Sequence, residues 1–201
     1  EKPMATTVLA CEHMQQVANE VNGKLTIAHY RRQLPLFLKV KELLDQDTIG
    51  KISEVKIIMH KKAGPKTYYE NNWRVNKARS GGGLFYDLAP HQLDLVFYFF
   101  GKALNYHGSA TNVSDLYLVE DTVKGAMQME NGIQFYGDWC FAIDERAQEQ
   151  DVFLIKGATG QIEFSVFGHT ITVERNNKKE VIPFEAPLHN QQNLIEKVVT
   201  F

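Results

Sequence analysis

Residues 122–141 read TVKGAMQMENGIQFYGDWCF, in which polar or small residues alternate with apolar ones on both sides of Asn131-Gly132. A period of two is typical of a strand that buries one face. Asn-Gly between two such runs is a strong signal for a type I′ hairpin turn. The sequence therefore predicts antiparallel strands over Thr122–Met129 and Ile133–Phe141.

Short alternating runs continue on both sides of this hairpin. The further predicted strands are Leu25–Tyr30, Ile52–His60, Tyr106–Val113, Val152–Lys156, Gln161–Val166, Thr170–Glu174 and Glu180–Pro183. Apolar residues at helical spacing predict helices over Met4–Val21, Pro35–Leu44, Leu88–Phe100 and Asn190–Phe201. Helices followed by a meander of strands are typical of the α+β class. We expect one large, mostly antiparallel open sheet with helices packed on one face.

Composition excludes several classes of protein. The chain has 201 residues, 44% of them hydrophobic and 23% charged, with a net charge of −2. These values are ordinary for a soluble domain, and no basic stripe of the kind that nucleic acids require is present. No apolar run is long enough to span a bilayer. We therefore expect neither a nucleic-acid partner nor a membrane one.

The two cysteines indicate the cellular compartment of the protein, and the two chain ends indicate whether the sequence is complete. Cys11 and Cys140 lie far apart without metal-ligand spacing, which favours a reducing compartment such as the cytoplasm. The sequence begins at Glu1 rather than at methionine, and the last helical pattern is still in phase at Phe201. We expect the natural chain to extend beyond both ends, so a secretion signal upstream of Glu1 stays possible.

Asp87 and His91 are the first candidates for chemistry. They lie four residues apart at the start of a predicted apolar helix, with Asp87 as its expected N-cap. A carboxylate near an imidazole favours the charged ring, which suits a general acid or base. A capping aspartate and a satisfied core histidine would give the same pattern. Together with Asp94, the pair could also form a metal set on one helical face.

Three other motifs are open to two interpretations. Lys2 before Pro3 is either a solvated charge or a buried proton donor. Gly81-Gly82-Gly83 could approach a phosphate, but it lacks the residues that complete a phosphate loop, and a turn that lets a helix pack closely is favoured. The arginines of Tyr30-Arg31-Arg32 and Trp73-Arg74 suit an anion or a flat ring, or form surface ion pairs.

Taken in order, these motifs resemble the Gfo/Idh/MocA oxidoreductases. Glu1-Lys2-Pro3 resembles the Glu-Lys-Pro motif of that family. Tyr30-Arg31, Pro35 and Ile49-Gly50-Lys51-Ile52 resemble a second conserved stretch. Trp73-Arg74, the three glycines, Asp87, His91, Asp94 and Gly101 resemble a third. The resemblance covers residues 1 to about 101, and beyond that it rests on the strand meander.

The resemblance implies a fold and a cofactor. Members of this family carry an N-terminal Rossmann domain that binds NAD or NADP, followed by a C-terminal α+β domain for substrate. The Glu-Lys-Pro motif lies at the junction, and its Lys-Pro bond is often cis. By this resemblance, residues 1–201 are the C-terminal substrate domain, with residues 1–22 as the junction motif and following helix, and the Rossmann domain lies upstream.

The resemblance also implies roles for particular residues. Lys2, Asp87 and His91 would be catalytic. His91 would take the substrate proton, Asp87 would orient His91 or contact the substrate, and Lys2 would stabilise charge on the oxygen. Glu1, Lys2, Tyr30, Arg31, Trp73 and Arg74 would line the cofactor or substrate. No residue is assigned to a metal.

The expected function is that of a sugar, cyclitol or polyol oxidoreductase domain that uses NAD or NADP and assembles as a homo-oligomer through its sheet. Hydride transfer needs both partners in contact, so these 201 residues alone are expected to be inactive. Two alternatives stay open at this point: a non-catalytic ligand-binding and oligomerisation module of the same fold, and a metal-dependent hydrolase or isomerase that uses Asp87 and His91.

Overall fold

Eight strands make up one sheet in the computed structural model, which describes residues 2–64 and 72–200. Alternation of apolar and polar residues along each strand places one face of the sheet against the helices. In chain order the strands are β1 Ile52–Lys62, β2 Ala103–Thr111, β3 Thr122–Met129, β4 Gln134–Ile143, β5 Gln150–Gly157, β6 Gly160–Phe164, β7 Thr170–Arg175 and β8 Lys178–Pro183.

The strand order is β2-β3-β4-β1-β5-β6-β7-β8, so the first strand in sequence lies in the middle of the sheet. β1 runs parallel to β4 and antiparallel to β5, and the other neighbours are antiparallel. Val55 pairs with Phe135 on one side and with Ile155 on the other. The predicted fold class, a large and mostly antiparallel open sheet, is confirmed.

Five α-helices accompany the sheet within the described residues. They are α1 Val8–Glu20, α2 Pro35–Asp45, α3 Lys77–Ser80, α4 Leu84–Phe100 and α5 Gln192–Val199, and short 3₁₀ helices span Tyr30–Gln33 and Trp73–Val75. No described helix is long and apolar enough to cross a membrane.

The core lies between one face of the sheet and helices α2 and α4. Along β1, Val55, Ile57 and Met59 are fully buried, whereas Lys56 between them is exposed on the other face. α2 and α4 contribute Leu36, Phe37, Val40, Leu43, Ala89, Leu95, Val96 and Phe100 to the same cluster. Each buried aliphatic or aromatic side chain of this size stabilises the fold by about 1.5–3 kcal/mol.

A buried hydrogen bond fixes α4 on the sheet beside the candidate site. The indole N–H of Trp139 on β4 donates to Oε1 of Gln92 on α4 at 2.6 Å. Trp139 is 2% exposed and Gln92 is fully buried. Since Gln92 directly follows His91, this bond sets both the rotation and the depth of the helical turn that carries His91.

Two local predictions are wrong. Leu25–Tyr30 is not a strand: the chain is irregular there, pairs with no strand of the described sheet and enters the 3₁₀ helix at Tyr30. The hairpin at Asn131-Gly132 is not type I′, since Gly132 has a positive φ of 83° and Asn131 does not. The Gly132 N–H donates to the Met129 carbonyl, which makes a three-residue loop ending in a left-handed glycine.

Helix α1 has no buried residue, in contrast to α2 and α4, which contribute to the core. Thr7 caps it by accepting a hydrogen bond from the Ala10 N–H at 3.2 Å, so it begins later than the predicted Met4. Val8 and Leu9 are 75% and 76% exposed. The stretch from Lys61 to Arg79 contains Gly64-Pro65 and Asn71-Asn72, which predict an irregular loop, and residues 65–71 of it lie outside the described residues.

Candidate functional site

The three glycines let the start of α4 approach the loop before β3. Gly83 precedes the helix, and its N–H donates to Oε1 of Glu120 at 2.8 Å. A Cβ on Gly83 would lie 2.2 Å from the Glu120 carbonyl oxygen. The packing interpretation therefore holds for Gly83.

Asp87 is not the N-cap as predicted, because α4 begins at Leu84 and places Asp87 fourth in the helix.

Asp87 joins three segments of the chain through ion pairs. Its Oδ1 lies 3.2 Å from Nζ of Lys2, and its Oδ2 accepts from Nε of Arg74 at 2.8 Å. The Lys2 ammonium also donates to the Asp87 carbonyl oxygen. The Arg74 guanidinium lies 4.7 Å from the centre of the Trp73 ring. Asp87 thus holds the N-terminal segment and the segment after residue 71 against α4.

The Lys2 side chain is drawn into the molecule rather than solvated. It is 11% exposed, and its bond to Pro3 is cis, as the resemblance implied. Glu1, the other predicted member of this motif, lies outside the described residues. The Lys2 ammonium and the His91 ring lie close enough for the lysine charge to act on the imidazole.

His91 lies one turn after Asp87 and is enclosed by aromatic rings. It is 7% exposed. The ring centroids of Tyr30 and Phe167 lie 5.4 Å and 5.9 Å from its own, both edge-on. Among the described residues, none makes a hydrogen bond with His91 Nδ1. A buried polar atom of this kind is costly to leave unpaired, so it marks a site where a ligand can bind.

The pKa of His91 is lowered from 6.5 to about 3, mainly because the ring is buried. The positive charges of Arg31 and Lys2 lower this pKa further, whereas the carboxylate of Asp87 raises it. Asp87 acts in the direction that the sequence predicts, toward a charged imidazole, but it does not determine the protonation state of the ring. The Asp87 carboxylate is occupied by two cations, and desolvation of the ring outweighs its attraction. His91 is a neutral imidazole and a proton acceptor at physiological pH.

This shift predicts a dependence of stability on pH. The unfolded chain takes up a proton at His91 below about pH 6.5, whereas the folded chain does not until about pH 3. Stability should therefore fall as pH decreases across this window, by about 1 kcal/mol per pH unit from this group. Urea unfolding of wild type and His91→Asn between about pH 7 and pH 5 measures it, with His107→Asn, an exposed site on β2, as the control. Equal slopes in all three proteins would contradict the prediction.

Arg31 and Arg32 are neighbours in sequence with different environments. Arg32 forms a two-pronged ion pair with Asp94, with Nε 2.8 Å from Oδ2, and His29 Nδ1 lies 3.5 Å from Oδ1 of the same carboxylate. Arg31 is 8% exposed, donates from Nη1 to the Val166 carbonyl at 2.5 Å, and lies 4.2 Å from the centre of the Phe167 ring.

The metal interpretation of Asp87, His91 and Asp94 does not fit the geometry. Both carboxylates are engaged by cationic side chains. Over residues 2–64 and 72–200, no group of three or more His, Cys, Asp or Glu side chains is placed to hold a metal ion.

The structure adds residues that the sequence did not indicate. Phe167 follows β6 and covers both His91 and Arg31. Asp151 on β5 holds that turn, because its carboxylate accepts from the Ser165 hydroxyl and from the Phe167 N–H at 3.0 Å. These contacts join positions far apart in the chain, and no local pattern marks them.

The fold thus brings seven of the predicted site residues together at the N-terminal end of α4. They are Lys2, Tyr30, Arg31, Trp73, Arg74, Asp87 and His91. The arrangement combines a neutral buried imidazole with an ammonium group and aromatic rings. Such a site can remove a proton from a hydroxyl group and stabilise the oxygen that loses it.

Similar proteins are oxidoreductases. The chain is 37% identical over 203 residues to "Oxidoreductase P35" of Formosa agariphila, a match that covers 100% of this chain and 62% of that protein. The same fold occurs in an aldose-aldose oxidoreductase from Caulobacter crescentus, with a TM-score of 0.80, 21% identity and coverage of 99% and 61%. An inositol dehydrogenase homologue from Azotobacter vinelandii, solved with NAD⁺, has a TM-score of 0.77, 17% identity and coverage of 90% and 49%.

These comparisons show that the chain shares the fold of domains found in oxidoreductases. Residues 37–163 match the model of the GFO/IDH/MocA C-terminal domain. The chain belongs to the GFO/IDH/MocA family, as its motifs predicted. It spans about three fifths of the length of Oxidoreductase P35.

Proposed function

We propose that this chain is the substrate-binding and catalytic domain of an NAD(P)-dependent oxidoreductase that acts on a secondary alcohol of a sugar, cyclitol or related polyol. The observation that carries the proposal is His91, a buried and neutral imidazole whose Nδ1 has no hydrogen-bond partner among the described residues. The Rossmann domain that would bind most of the cofactor belongs, in this proposal, to a longer protein.

The residues at the site fit a nicotinamide cofactor. Lys2, Tyr30, Trp73 and Arg74 provide a cation, two aromatic rings and a second cation beside the unpartnered imidazole. These groups would contact the cofactor or the substrate that faces it, together with Glu1 of the junction motif. A bound nicotinamide supplies the acceptor for hydride.

His91 and Lys2 would carry out the other two tasks, the removal of the proton and the stabilisation of negative charge. The substrate hydroxyl loses its proton to the neutral imidazole of His91, which is uncharged before the reaction and so able to accept it. The Lys2 ammonium donates to the same oxygen and stabilises the negative charge that develops there. Asp87 keeps Lys2 in position through the 3.2 Å ion pair.

A turnover assay tests this function. Full-length protein would be mixed with NAD or NADP and a panel of hexoses, hexuronates and inositols, and formation of the reduced cofactor would be followed by absorbance. The 201-residue domain alone serves as the matched control and should give no turnover. Absence of turnover by the full-length protein with every substrate and both cofactors would remove the proposal.

The chain should also assemble with copies of itself through the face of the sheet that lies opposite the helices. This open face carries Ile58, Val152 and Leu154, since their neighbours in sequence point into the core. Charges of both signs surround them, including the pair formed by Lys156 and Glu54 at 2.7 Å. A surface with an apolar centre and both charges is complementary to itself, which favours a second copy as partner.

Leu154→Glu should therefore dissociate the assembly, because it places a carboxylate in the apolar centre of this face. Light scattering after size exclusion measures the mass of wild type and variant. Leu38→Glu, at an exposed position on α2, is the matched control and should leave the mass unchanged. A monomeric wild type, or a Leu154→Glu variant that stays assembled, would contradict this proposal.

The free thiols of Cys11 and Cys140 support a cytoplasmic location for the protein.

A further inference from the structure

Arg31 carries a buried positive charge that forms no ion pair within the described protein, although the carboxylate of Asp151 acts on it from a longer distance. The residue is 8% exposed, and its Nε atom is buried without a hydrogen-bond partner. Within residues 2–64 and 72–200, no carboxylate lies within 4 Å of its guanidinium. Buried charges are usually paired, because removing an ion from water without a partner is costly.

The two other arginines at the site are paired. Arg32 binds both oxygens of Asp94, and Arg74 binds Asp87. Arg31 has instead one carbonyl, that of Val166, and the face of Phe167. The fold thus holds the Arg31 guanidinium in place, but only some of its N–H groups donate hydrogen bonds to the protein. A preorganised guanidinium of this kind is suited to a planar anion.

A cavity of about 330 Å³ lies against Arg31 and is large enough for a small ligand. Phe167, Phe37 and His169 line it together with Phe184 and with Glu185, an exposed residue that is the one carboxylate in the lining within the described chain. Arg31 and Phe167 also belong to the surroundings of His91, since the arginine charge acts on the imidazole and the two rings are in contact. His91 does not itself line the cavity, but Arg31 and Phe167 belong both to the cavity wall and to the surroundings of His91.

We propose that Arg31 binds a carboxylate of the substrate, so that the substrate is a sugar acid rather than a neutral sugar or polyol. This inference rests on the proposed function and names the substrate class for that site. A carboxylate fits better than a phosphate because Arg31 is the one Lys or Arg side chain that lines the cavity within the described chain. A single guanidinium matches one planar, singly charged group. Phe167 forms the wall over which the sugar ring extends toward His91.

Binding measurements with matched sugars test the proposal. Titration calorimetry on the full-length protein, in the presence of NAD or NADP, would compare D-glucuronate with D-glucose and D-galacturonate with D-galactose. Glucose 6-phosphate is included as a second anion. The variants are Arg31→Gln, which removes the charge, and Arg31→Lys, which keeps it. Arg146→Gln, at an exposed site away from the cavity, is the control.

We expect at least one uronate to bind wild type ten-fold or more tightly than its neutral partner. Arg31→Gln should abolish that difference, Arg31→Lys should retain part of it, and Arg146→Gln should retain all of it. Equal binding of acid and neutral sugars by wild type overturns the proposal, and so does the absence of binding by all of them. Discrimination that survives in Arg31→Gln, or tighter binding of the phosphate, also overturns it.

A turnover assay with the same sugars distinguishes the proposed oxidoreductase function from the proposed role of Arg31. Reduction of the cofactor with neutral sugars but not with uronates would leave the proposed function intact and remove the role of Arg31 in choosing the substrate. Binding of uronates through Arg31 without reduction of the cofactor by any sugar would keep the binding site and remove the oxidoreductase function.

Discussion

His91→Asn is expected to lower kcat of the full-length protein by roughly 10²- to 10⁴-fold, the usual contribution of a positioned general base. Asparagine preserves a polar side chain of similar size but cannot accept the substrate proton. The ring is 7% exposed and its Nδ1 makes no hydrogen bond with another described group, so this nitrogen is free to bond to a substrate. Steady-state kinetics with the identified substrate measures the effect.

The pH profile gives this prediction a second readout. With a pKa of about 3, His91 stays neutral over the usual assay range. The kcat/KM of wild type should therefore not fall between about pH 7 and pH 5 through protonation of this group. His107→Asn on β2 is the matched control and should behave as wild type. A His91→Asn variant with normal kcat would show that the proton is removed elsewhere.

Lys2→Met is expected to lower kcat by roughly 10²- to 10³-fold, which is typical for the loss of one charge-stabilising donor. Methionine keeps the apolar part of the side chain in its 11% exposed position but loses the ammonium group. The effect should fall on kcat more than on KM, because the charge on the substrate oxygen develops during the reaction. Lys102→Met, at an exposed position after α4, is the control.

A structural role for Lys2 would give a different result. The same ammonium group holds Asp87, so its removal could displace the N-terminal segment. Lys2→Arg keeps the charge and the ion pair but places the donor differently. If Lys2 acts on the substrate, both variants should lose kcat while thermal unfolding of Lys2→Arg stays close to wild type. Recovery of full turnover in Lys2→Arg would assign the residue to positioning alone.

Local patterns predicted much of the fold because strands and helices of this domain bury one face each. Thr122–Met129 has the predicted bounds, and Pro35–Asp45 differs from its prediction by one residue. The failure at Leu25–Tyr30 has a physical basis: a strand needs a partner to pair with, and this segment pairs with no strand of the described sheet. Whether an edge is available cannot be read from six residues of sequence.

The candidate site was predictable where its members share a helix or a motif. Asp87 and His91 are on one face of α4 because four residues make about one helical turn. The low pKa of His91 was not predictable because it depends on burial and on Arg31, which local spacing does not reveal. The contacts of Phe167 and Asp151 depend on the complete sheet, so the sequence gives no local signal for them.

The central position of β1 has a consequence for how the protein folds. Its two neighbours are made much later, since Glu54 pairs with Gln134 on β4 and with Lys156 on β5. During synthesis β1 therefore leaves the ribosome with both edges unpaired and a row of apolar side chains uncovered. Contacts between such distant positions close large loops and slow the folding reaction. Nascent chains that stop before β5 should depend on chaperones more than the finished domain does.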